Sequence, residues 1–92
     1  MKGSQAYHAT LARVHADIEH ELKSERRFVS EYEVAAMLRR AGAGDVLSDM
    51  VLARLARDKM RMFVEEAQAL NPESAVYLDT REGRNWKISL GK

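Results

Sequence analysis

The 92-residue chain has no cysteine, a single proline and only six aromatic residues. Without cysteine there is no disulfide and no thiolate metal site to brace the fold. No apolar run approaches the roughly 20 residues of a membrane-spanning helix, and the opening MKGSQAYHATL lacks the apolar core of a secretory leader. The expected location is therefore cytoplasmic. Excess charge of one sign is missing too, since the net charge is only +1. The chain as a whole is no magnet for polyanions, and any charged surface must come from how its charges are distributed. A chain of this length forms one domain with a thin core, burying roughly 60–65% of the surface its unfolded form exposes.

Nothing in the sequence carries catalytic chemistry. No nucleophile stands in a recognisable elbow, and no glycine-rich phosphate loop follows a strand. GAGD, Gly42 to Asp45, lies between two helical patterns and reads as a turn. The carboxylates show no pairing that singles out an acid and a base. His8, His15 and Glu19 fall nearly on one line of the first helix. Seven residues of helix span roughly 10 Å, so one ion cannot bridge both histidines. His15 with Glu19 alone makes a poor metal site. The chain is expected to be no enzyme and to use no cofactor and no metal.

What is present is periodic. Tyr7, Leu11, Val14, Ile18 and Leu22 recur at steps of four, three, four and four, which predicts a helix over residues 5–23 with Ser4 as its cap. Glu19 and Lys23 form a supporting pair on that helix. The stripe can face the core or act as the seam of a homodimer. A short strand is predicted at 27–29. Ser30 and Glu33 then have the spacing of a capping box, with Val29 and Val34 placed as a hydrophobic staple, so a second helix runs over 31–41. Its core side is Val34, Leu38 and Ala41. Gly42 and Gly44 end it, because glycine accepts the left-handed conformation that helix ends often need.

Asp45 or Ser48 can cap a third helix over 46–70, patterned through Leu52, Ala56, Met60, Phe63, Ala67 and Leu70 and stopped by Asn71-Pro72. Within it, Met60, Met62 and Val64 also alternate as a strand would. Helix is preferred over 59–64 because EEAQAL follows without glycine or proline. The last predicted element is a hairpin over 75–90. Val76 and Leu78 share one face of its first strand; Trp86, Ile88 and Leu90 share one face of its second. The fold class is α+β, three helices with a C-terminal β-hairpin.

The charges segregate along the chain. Residues 23–61 hold nine Lys or Arg against six acids, residues 62–79 four acids and no base, and residues 80–92 four bases against one acid. Folding can bring the two basic segments together.

The succession of RFV at 27–29, SEYEVAAMLRRAG at 30–42, the helix after Asp45 and the hairpin resembles a winged-helix DNA-binding domain, by order of elements over most of the chain. That resemblance implies a third helix that enters the major groove and a hairpin wing that touches phosphates. By position, the groove-facing residues are then Arg54, Arg57 and Arg61, and the wing residues are Arg81, Arg84 and Lys87. Arg26, Arg27, Arg39 and Arg40 add phosphate contacts. Arginine suits both tasks, because it binds phosphate or a guanine edge through two hydrogen bonds. The expected function is a DNA-binding transcriptional regulator, with DNA rather than RNA as partner and dimerisation through Tyr7, Leu11, Val14, Ile18 and Leu22. The alternative is a phage- or plasmid-type accessory protein that binds and inhibits a host protein, in the manner of an anti-CRISPR. Its acidic segment, with Glu65, Glu66, Glu73 and Asp79, would then meet a basic surface.

Overall fold

The structure is a computed structural model; it describes residues 2–24, 26–42 and 47–91, with side chains from residue 8 onward. Its elements are α1 (Lys2–Leu22), β1 (Phe28–Ser30), α2 (Glu31–Arg40), α3 (Asp49–Leu70), β2 (Val76–Asp79) and β3 (Lys87–Leu90). The class is α+β, with three helices and a three-stranded antiparallel sheet in the order β1-β3-β2. Residues 59–64 are helical, as the helix formers after them favour.

The N-terminus departs from expectation. α1 starts at Lys2, so Ser4 lies inside the helix and does not cap it. Val14, Ile18 and Leu22 are buried in this chain's own core. Leu11 packs against that core, and the Tyr7 side chain lies outside the described residues. Glu19 pairs with His15 one turn earlier instead of with Lys23, Oε1 to Nε2 at 3.0 Å.

α2 begins as its sequence requires. The Glu33 amide donates to Ser30 Oγ at 3.3 Å, and the Ser30 amide donates to Glu33 Oε1 at 3.4 Å. Val29 and Val34 on either side of this box are both fully buried. The helix closes at Ala41, and Gly42 follows at φ 107°, a conformation that costs glycine nothing and an L side chain a good deal. Ala43, Gly44, Asp45 and Val46 lie outside the described residues, and the predicted Asp45 cap with them. Ser48 caps α3, accepting from the Val51 amide at 3.3 Å.

β1 reaches Ser30, one residue beyond the predicted strand, because β3 gives it a full ladder. Val29 and Leu78 both lie opposite Ile88, one on each side of the central strand. Ile88 is fully buried in a core it shares with Ile18, Leu38, Leu52 and Met60, while Trp86 and Leu90 pack against that core from the same face of β3. One face of the sheet is thus closed by helices, the usual solution for a strand that alternates apolar and polar residues.

Candidate nucleic-acid interface

Three elements meet at Arg57. It stands midway along α3, and its guanidinium donates from Nε and Nη2 to the two carboxylate oxygens of Glu31, each at 3.0 Å. Nη2 also donates to the Gly83 carbonyl in the hairpin loop at 2.6 Å. The guanidinium carbon lies 4.4 Å from the Trp86 ring centre. Glu31 is buried at the first position of α2 and accepts a third hydrogen bond, from the Trp86 amide at 2.8 Å. Its own amide donates to the Trp86 carbonyl at 2.9 Å, extending the β1–β3 ladder by one step. Burial pushes the Glu31 carboxyl up, but the Arg57 hydrogen bonds, the Trp86 amide and the Arg57 charge together outweigh it and hold it below the usual carboxylate range. The hairpin loop is thereby fixed against the side of α3.

Around this junction lie the other cations. Arg54 is one turn before Arg57 on α3, and Arg61 one turn after, at spacings that share a helix face. Arg61 reaches Asp58 at 3.3 Å and lies 5.7 Å from the Trp86 ring centre. In the loop, Arg81 donates from Nε and Nη2 to Asp79 at 3.0 and 2.7 Å, and those bonds hold the Asp79 carboxyl down at about 2. Lys87 sits 3.8 Å from Glu82. Arg39 at the end of α2 pairs with Asp49 at the start of α3. Arg40, Arg54 and Arg84 are exposed and have no ion-pair partner among the described residues.

Five of the eight predicted cations are therefore paired with carboxylates, and the pairs differ in kind. Arg39 and Arg61 are about half exposed, and their partners Asp49 and Asp58 more so. Surface pairs of that sort are worth about 0–1 kcal/mol each, so a phosphate can displace the carboxylate at little cost. Arg57 is different: its partner Glu31 is buried, and removing it would leave that carboxylate desolvated and alone. Arg57 thus ties the loop to α3 through its guanidinium, with 31% of its side chain exposed.

Arg26 and Arg27 are bonded within the fold, and Arg26 shares the Phe28 ring with Lys87, whose Nζ lies 5.7 Å from the ring centre. Arg26 grips Glu33 through both terminal nitrogens, at 2.7 and 2.5 Å, and stacks 4.5 Å from the Phe28 ring centre. Arg27 has φ 59° and donates to the Gly91 carbonyl at 3.2 Å. Both tie β1 into the fold.

Two residues escape the sequence reading. Glu31 sits in an acidic first turn, where a carboxylate already has a local reason to be, and nothing local points to Arg57. Lys59 is 4% exposed, with Nζ 3.4 Å from His15 Nδ1. It does leave a trace in the sequence, because it falls three residues after Ala56 and four before Phe63, on the stripe that faces the core. Burial pulls its pKa down, opposed in part by the charge of Glu66.

Among the described residues no group of three or more His, Asp or Glu side chains is placed to hold a metal ion, and no helix is long and apolar enough to cross a membrane. Comparison with protein families, curated proteins and solved structures finds no match to this chain.

Proposed function

We propose that this chain is a small non-enzymatic DNA-binding module of the winged-helix type, serving as a transcriptional regulator. The order of elements and the sheet order β1-β3-β2 support the reading. The observation that carries it is the hydrogen bond from Arg57 to Gly83, which sets the hairpin loop against α3. Arg54 and Arg61 on the helix and Arg84 in the loop then flank one junction, with Arg54 and Arg84 unpaired among the described residues. Groove contacts come from the exposed first turns of α3, and phosphate contacts from the loop.

Fluorescence anisotropy with a labelled random duplex tests this. Three phosphate contacts give a slope of about −2.7 in log K against log salt, so affinity falls roughly 40-fold between about 50 and 200 mM salt. Absence of binding to duplex at low salt overturns the proposal.

A second reading, a module that docks on a host protein, is favoured by the apolar side chains exposed beside these charges. Met50 on the first turn of α3 is 75% exposed and Tyr32 on the first turn of α2 is 69% exposed. Of the acidic segment, Glu65, Glu66 and Glu73 are exposed, while Asp79 is engaged by Arg81. Recovery of one stoichiometric protein partner through Met50 and Tyr32, with no duplex binding, is the result that selects this reading.

A further inference from the structure

A cleft of about 310 Å³ opens on another part of the molecule, between the C-terminal halves of α1 and α3 and the sheet. Its floor is apolar, built from Leu22, Phe63, Val76 and Leu90. Its rim is charged. The His15 imidazole stands at one end with Glu19 3.0 Å from Nε2 and Glu66 3.6 Å from Nδ1. The His15 and Phe63 rings lie 4.7 Å apart at 46° and form an aromatic corner below the two carboxylates.

We infer that this cleft binds a small organic cation, an amine carrying a short apolar chain. Four observations select that chemistry. The volume is at the lower end of ligand-sized cavities, which limits the ligand to a small molecule. The floor offers apolar surface and rewards burial of hydrocarbon. The Phe63 ring lies beside His15 at the charged end of the floor, and a Phe ring attracts a cation through its face. The carboxylates of Glu19 and Glu66 are both about half exposed at the mouth and can turn from His15 to an incoming ammonium. An anion would meet those two carboxylates, with Lys23 exposed at the mouth and Lys59 buried 3.4 Å from His15 Nδ1 as the cations near it. The site shares no residue with the α3–hairpin junction, so it stands or falls independently of DNA binding.

The test uses the full chain and three probes of one chain length: hexylammonium, hexanoate and hexanol. Amide chemical shifts are followed by NMR at fixed protein concentration. The expected result is a saturable shift with hexylammonium, centred on residues 15–22 and 63–70, with affinity about tenfold above that of either other probe. Glu66→Gln, at an exposed position, should weaken hexylammonium roughly fivefold and leave hexanol unchanged. Ala67→Leu should fill the floor and abolish binding; if it unfolds the domain, the Glu66→Gln comparison decides. Equal binding of the three probes, or no saturable shift with hexylammonium, overturns the inference. So do shifts at these residues that change with protein concentration alone, since Leu70, 88% exposed at the mouth, would then be filling the cleft of a second copy.

Discussion

Glu31 and Arg57 are 26 residues apart in sequence and are joined by two hydrogen bonds of 3.0 Å, one to each carboxylate oxygen. This pair connects the start of α2 to the middle of α3, and through Trp86 and Gly83 it fixes the hairpin loop. Glu31→Gln keeps the shape but loses the charge, and it should cost about 2 kcal/mol, lowering Tm by roughly 10 °C. Arg57→Ala should in addition speed amide hydrogen exchange in residues 81–86, because the loop loses its tie to α3. Calorimetry and exchange on the two variants check this; unchanged exchange in the loop would show that Arg57 does not hold it.

Lys59 tests the opposite sign. Its ammonium is buried with His15 as its one hydrogen-bonding neighbour among the described residues, so the folded state binds a proton less readily than the unfolded state. Where the unfolded chain binds more protons, stability rises with pH. The penalty is therefore greatest below the folded pKa and fades as pH climbs towards 10.5, the unfolded value. Lys59→Met should stabilise the domain by about 1 kcal/mol at pH 7, and it should remove the alkaline rise. Urea unfolding of both forms between pH 7 and 10 measures both effects.

Acid should act through depressed carboxyls. The folded pKa values of Glu31, Glu33 and Asp79 all lie below their unfolded values of 4.5, 4.5 and 3.8. Each contributes stability that is complete above its unfolded value and is lost as pH falls through its folded one. Stability should thus be little affected by these groups above pH 5 and should drop below about 4.5, with the Asp79 part persisting to about 2. Asp79→Asn should flatten the lowest part of the profile, between pH 4 and 2, in a circular-dichroism titration.

The cap of α2 provides a local control. Ser30→Ala removes the acceptor for the Glu33 amide and should cost about 1 kcal/mol by urea unfolding. It should leave loop exchange unchanged, since the Arg57 contacts do not involve Ser30.

The helices were readable because their signals are local. The Ser30–Glu33 box, the four- and three-residue steps of α1 and α3, and the alternation of Trp86, Ile88 and Leu90 each report on neighbours a few residues away. The candidate site was readable only in part for the same reason. Which arginine faces solvent and which grips a carboxylate depends on contacts between α2, α3 and the loop, and no period in the sequence encodes those. Arg54 and Arg57 look alike on a helical wheel, yet Arg57 alone finds a buried partner, because the β1–β3 ladder carries Glu31 to it. The stripe on α1 was readable only as an apolar face: a period of 3.6 does not say whose core it enters.

The central claim is that the outer face of α3 and the hairpin loop together form a DNA-binding surface. An amide NMR titration with a short random duplex at low salt tests it most directly. The account predicts shifts concentrated in residues 50–61 and 81–87, reduced at least severalfold by Arg54→Ala with Arg84→Ala. Shifts confined to the α1–α3 cleft at residues 15–23 and 63–70, or no shifts at all, would contradict it.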